Sequence, residues 1–199
     1  MTTRRIILIF LSLFLTLCSC LYTPGSSKAS IDLNDLTIIR NIYIDDAFTV
    51  GEEEDIARAL IAWTKASNNK IKFNSLYRHS PPGELDDYFF NKSYNDSIFI
   101  WRINTYNLSW HLKDRLSKYS GLYDRKGNII IFPDKISINA IFANVVRHEI
   151  GHALGLEHST TENKSTMKAI DIDISDCISK EDTDRLCAIY FCVGQPECN

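Results

Sequence analysis

No stretch of this 199-residue chain carries a basic stripe, or the aromatic–basic interleaving of single-strand binders. Its formal net charge of −3 adds no attraction for phosphate, so nucleic acid is not an expected partner. Internal repeats and low-complexity tracts are absent, and so is any Cys-x-x-Cys pair. The longest apolar run, Ile6 to Leu17, falls short of the roughly 20 residues that a spanning helix needs. Methionine is scarce at two residues and histidine at five, so where they stand carries information. What remains is ordinary for one globular domain able to bury a sizeable core: 45% hydrophobic and 24% charged residues.

The N-terminus departs from that average. MTTRR carries two arginines, the run Ile6–Leu17 follows, and LCSC closes it at Cys20. A basic start and a short apolar run describe a secretory signal over residues 1–20. LCSC resembles a bacterial lipobox, with small Ser19 before a lipidated Cys20; Cys18 is unusual for that pattern. Plain cleavage by a general signal peptidase is the alternative. Residues 21–32, including the turn-rich YTPGSSKAS, read as a tether, and 33–199 as the folded domain. These features place the protein outside the inner membrane, anchored by lipid to a bacterial envelope and facing periplasm or exterior, or else secreted. Lipobox-type anchoring argues against glycosylation at the Asn-x-Ser sites of Asn91, Asn95, Asn107 and Asn163.

Four further cysteines, Cys177, Cys187, Cys192 and Cys198, crowd the C-terminal end. In an exported chain they read as two disulfides, with three pairings open, and a cysteine-only zinc site is disfavoured by the spacing. Hydropathy patterns predict strands over Leu36–Ile44, from Ile71, over Ser97–Ile103 and over Asn128–Phe132, with DRKGN as a turn. A first helix starts at a capping box, Thr49 with Glu52, and carries Ile56, Ala59, Leu60, Trp63 and Ala66 at helical spacing. A second runs through Ile141 and Val145, with Ser137 or Asn139 as its cap. A last one starts at Ser179–Asp182 with Leu186, Ile189 and Tyr190 on its apolar face. Residues 78–97 give no clear pattern beyond an apolar island at Tyr88–Phe90.

Three of the five histidines fall within HEIGHALGLEH, His148 to His158. His148 and His152, four apart on a helix, project from one face and can share one zinc ion. Glu149, one residue round, can reach water at that ion without ligating it. A straight helix would carry a third ligand about 9 Å along its axis. Gly155 can adopt positive φ, end the helix and let the chain bring His158 back. Three protein ligands leave one position for water, the arrangement of a catalytic rather than a structural zinc site.

The pattern His-Glu-x-x-His-x-x-Gly-x-x-His resembles the signature of metzincin zinc proteases, and among them the matrixins. The resemblance implies an α+β fold: a small twisted mixed sheet, a capped first helix, a zinc-site helix and a C-terminal helix. It implies a zinc-dependent endopeptidase with Glu149 as general base, one Zn2+ on His148, His152 and His158, and Met167 of a methionine turn as an apolar base beneath the ligands. The partner is then a peptide or protein, laid along an edge strand for which SIFIWRI is the candidate, and the protein a monomer. Several features depart from the family. Lys168 and Ala169 follow Met167 where a tyrosine or proline is common, leaving Ile170 and Ile172 as substitute pocket wall. No inhibitory pro-segment fits between Cys20 and the first strand, and the four C-terminal cysteines are extra. Calcium at Asp171, Asp173 and Asp176 is possible by composition but unsupported. His79 and His111 stand alone and read as surface residues. The contrasting function is a catalytically silent, zinc-containing lipoprotein that grips peptides or an envelope protein; the intact Glu149 argues against it.

Overall fold

The computed structural model describes residues 37–80, 96–136, 139–160, 165–169 and 177–198. The leader with Cys20, the tether, Tyr88–Phe90, Asn91, Asn95, Ser137, Asn163, Ile170, Ile172, Asp171, Asp173 and Asp176 lie outside them.

The elements run β1 (Ile38–Asp45), α1 (Val50–Ala66), β2 (Ile71–His79), β3 (Ser97–Arg102), α2 (Trp110–Leu116), β4 (Gly121–Tyr123), β5 (Asn128–Ile131), α3 (Asn139–Ala153) and α4 (Lys180–Tyr190). The sheet has the order β2-β1-β3-β5-β4. Its first four strands are parallel, and β4 closes one edge antiparallel to β5. This is the mixed sheet with helices that the sequence leads one to expect.

Period-two alternation divides the core in two. Ile42, Ile44, Ile98, Ile100, Ile129 and Ile131 turn to the face covered by α1 and α3, where they meet Trp63, Val146 and Ile150. Phe99, Trp101 and Ile130 turn the other way, toward Leu112 and Leu116 of α2. Strands buried on both faces need continuous apolar runs, and β3 and β5 are written that way. The continuity also marks SIFIWRI as interior, correcting its assignment as the substrate's edge: β3 pairs with β1 on one side and β5 on the other. Among the described residues the sheet's edges are β2 and β4.

The capping box of α1 is present, with the Thr49 side chain accepting from the Glu52 amide and the Glu52 carboxylate accepting from the Thr49 amide. Glu52 also receives Arg102 at 3.1 Å, which fastens the helix start to the end of β3. Trp63, fully buried, donates from Nε1 to the Arg147 carbonyl at 2.9 Å and joins α1 to α3. Asn139 is the first residue of α3 and not the residue before it. Ile189 is 44% exposed, so Leu186 and part of Tyr190 form the buried face of α4 without it.

After α4 the chain doubles back. Gln195 donates its amide to the Ala66 carbonyl and Glu197 to that of Ile178. Disulfides join Cys177 to Cys198 and Cys187 to Cys192, one of the three pairings open to the sequence. Cross-linking removes denatured-state entropy in proportion to the logarithm of the loop length. The 21-residue separation of Cys177 and Cys198 therefore stabilises more than the 5-residue one. Replacing Cys177 and Cys198 together by Ser should lower unfolding free energy by about 3 kcal/mol, and replacing Cys187 and Cys192 by about 2 kcal/mol. Urea titration of the two double variants checks the order.

Candidate metal centre and cleft

Helix α3 presents His148, Glu149 and His152 along one side and ends at Gly155, whose φ is +91°. The Leu156 amide donates back to the Gly151 carbonyl at 3.0 Å and the Gly155 amide to that of His152 at 2.9 Å. This pair of bonds is a Schellman stop, which reverses the chain within one turn. His158 is thereby returned to the helix, and the ligand nitrogens of His148, His152 and His158 lie within 4.8 Å of one another.

Backbone carbonyls set the tautomers. His148 Nδ1 meets the Thr166 carbonyl at 2.8 Å, and His152 Nδ1 meets that of Leu156 at 2.7 Å. A carbonyl only accepts, so each Nδ1 carries the proton and each Nε2 turns a bare lone pair to the common point. His152 Nε2 and His158 Nε2 are 3.2 Å apart. Two ligands of one tetrahedral zinc, at about 2.0–2.1 Å each, stand about 3.3–3.4 Å apart. The donor set, its spacing and the converging lone pairs all fit zinc. The cluster runs from buried His148 to exposed His158, so one side stays open to solvent.

Burial holds the His148 pKa down at about 4, and the neighbouring imidazoles act in the same direction. Burial also lowers His152. Both rings are therefore neutral, the form that binds metal, at neutral pH. Burial pushes Glu149 up to about 8, against a smaller opposing pull from the Tyr123 amide.

Met167 is fully buried beneath the site. A side chain at Gly151 would collide with its sulfur and with Trp63, so the glycine inside the motif makes room for the methionine. The turn that carries Met167 is held from α4. Asp182, fully buried, accepts from Ser165 Oγ at 2.7 Å, from the Thr166 amide at 2.8 Å and from Ser179 Oγ at 2.9 Å. Since the Thr166 carbonyl orients His148, a chain of hydrogen bonds runs from α4 to a candidate ligand. The sequence marked Asp182 only as part of a helix cap; nothing local signalled its reach to Thr166.

The cluster lines a cleft of about 960 Å³ between α3 and β4. Ser120 and Asp124 are bonded to Phe132 and Asn128 of the neighbouring strand. Antiparallel alternation then leaves the N–H and C=O of Gly121 and Tyr123 facing away from β5. A Cβ on Gly121 would stand 2.9 Å from Glu149 Oε1 and 2.7 Å from Val145. Gly121 therefore seats the carboxyl, a role no sequence motif announced. His79 and His111 lie away from the cluster and exposed, as expected of solitary histidines.

A family model described as matrixin matches residues 41–191. Among solved structures, the chain is similar to high choriolytic enzyme 1, a hatching enzyme zinc-protease from the medaka fish Oryzias latipes. That match has 15% identity and a TM-score of 0.45, over 79% of this chain and 91% of that one. It is also similar to myroilysin, at 11% identity and a TM-score of 0.48, over 79% of this chain and 82% of that one. A third is a zinc-dependent peptidase from Methanocorpusculum labreanum, at 15% identity and a TM-score of 0.43, over 74% of this chain and 99% of that one. No curated protein matches the sequence.

Two outcomes follow from the site. In Asp182→Asn one carboxylate oxygen becomes an amide donor, so at least one of Ser165 Oγ, the Thr166 amide and Ser179 Oγ loses its present acceptor. Zinc affinity should fall about tenfold or more while all three histidines remain, as measured by competition with a chelating dye. The second concerns metal-free protein above pH 6.5. There the unfolded chain has ionised Glu149, whereas the folded chain holds its proton up to about pH 8. The unfolded state binds fewer protons, so stability should fall as pH rises from 6.5 to 8, by at most about 1.4 kcal/mol per pH unit. Chelator-treated Glu149→Gln should lose that slope in thermal unfolding.

Proposed function

This chain belongs to the matrixin family and is a zinc metalloprotease, and from that premise we propose that it is an endopeptidase cutting extended protein segments at the cleft between α3 and β4. The observation that carries the reading is the convergence of His148, His152 and His158 beside Glu149, in a cleft bounded by an open strand edge. His148, His152 and His158 are the proposed zinc ligands and Glu149 the proposed base. When bound there, zinc supplies Lewis acidity and lowers the pKa of water to about 7.

The chain's own residues do the rest. The outward N–H and C=O of Gly121 and the outward C=O of Tyr123 add a substrate strand to the sheet and fix its backbone across the cleft, while the Tyr123 N–H serves the Glu149 carboxyl. Substrate addition belongs to β4, not β3. Glu149 takes the proton of the attacking water and returns it to the departing amine. Its carboxyl can do both because burial raises its proton affinity, and a cation held by His148, His152 and His158 would favour the ionised form able to accept the first proton. The Thr166 and Leu156 carbonyls keep His148 and His152 in the ligating tautomer throughout.

The same proposal places the protein outside the inner membrane, lipid-anchored through Cys20 in a bacterial envelope. Support comes from the leader's basic–apolar–LCSC order and from two formed disulfides, which persist in oxidising compartments.

Glu149→Ala should retain one zinc per chain and lose peptide cleavage by about 10²-fold or more. Metal analysis alongside a fluorogenic peptide assay checks both. Cleavage at the parental rate would remove Glu149 from its role. Parental cleavage that survives full metal removal would sink the zinc mechanism itself.

A further inference from the structure

The cleft carries a charge opposite to that of the whole chain. The formal net charge is −3, yet Lys118, Arg125 and Lys168 all line the cleft, against the acids Glu149 and Glu157. Arg125 and Glu157 pair with each other across exposed surface at 3.3 Å and largely cancel. Lys118 and Lys168 have no ion-pair partner among the described residues.

Lys168 springs from a held backbone, and Lys118 is exposed at the rim. Lys168 is half-buried directly after Met167. Its amide donates to the Ser165 carbonyl, and its backbone forms a bridge with Ser159, next to His158. Its stem therefore leaves from a fixed point beside the metal cluster. Lys118 lies on the opposite wall, three residues before the start of β4, with its ammonium 5.1 Å from the centre of the Tyr119 ring. Ile141 and Val145 of α3 supply an apolar flank in the same cleft. Low-dielectric walls with cations at the rim concentrate anions and strengthen pairing beyond what an open surface gives.

Resting on the peptidase reading, we infer that the cleft selects a substrate carboxylate near the scissile bond, read by Lys118 and Lys168. The substrate class is an acidic protein segment. The carboxylate has two chemical sources, an Asp or Glu side chain or the C-terminus of a short peptide, and the test separates them.

The full chain loaded with zinc is given fluorogenic peptides that differ at one position, scanned through three residues on either side of the cut. Each position carries Glu, Gln, Leu or Lys, and each peptide is made both C-terminally amidated and as the free acid. Glu at the best position should raise kcat/KM about tenfold over Lys, the sum of two modest ion pairs. The advantage should shrink near 1 M salt, where the Debye length is about 3 Å. The double variant Lys118→Glu with Lys168→Glu should reverse the order to favour Lys, read as the ratio of kcat/KM for the Glu and Lys peptides on the same protein. An advantage tied to the free acid rather than to Glu assigns the carboxylate to the chain terminus. Equal cleavage of Glu and Lys peptides with no advantage for the free acid, or a preference that the double variant leaves unmoved, overturns the inference. Fluorescence anisotropy of the same peptides on zinc-loaded protein reads the preference as binding. If nothing is cut but the Glu peptides bind tightest, the peptidase reading fails and the charge preference stands.

Discussion

Two backbone carbonyls, those of Leu156 and Thr166, decide what this protein can hold. Each accepts a hydrogen bond from Nδ1–H of one imidazole and so aims the other nitrogen's lone pair at a shared point. Lone pairs gathered without protons between them call for a cation. The Leu156 carbonyl is in place because the helix stops at Gly155. The Thr166 carbonyl is in place because Asp182 grips the amide of the same residue. Packing, capping and the C-terminal helix all serve the placement of these two oxygens.

The sheet contributes through its order. With β3 and β5 buried on both faces, the framework is rigid, and only a three-residue antiparallel strand borders the cleft. Gly121 lets that strand approach α3 closely enough to touch Glu149. The carboxyl is thus enclosed between a helix and a strand backbone, and its high proton affinity is a direct result of that enclosure.

What could be read from the sequence was what is local. The capping box at Thr49, the spacing of His148 and His152, the break at Gly155 and the solitary Met167 each lie within one short segment, and each has one physical meaning there. The continuous apolar runs of β3 and β5 were legible as strands, but taking β3 for an edge overlooked that continuity means burial on both faces. β4 escaped notice because three residues beginning with glycine show no alternation. α2 escaped because its buried face is only Leu112 and Leu116. The Asp182 clamp spans 16 residues to Thr166 and the longer disulfide 21, and no local pattern encodes such pairings.

The dependence of His148 on α4 has a temporal side. A chain made from its N-terminus forms α3, with two of its imidazoles, well before the segment bearing Asp182 exists. Until that segment arrives and docks, the turn around Thr166 has its bonds to Ser159 but not the carboxylate that holds the Thr166 amide. The final orientation of His148 is thus a property of the folded chain, set from a helix that follows the motif by some twenty residues, rather than of the helix that bears the motif.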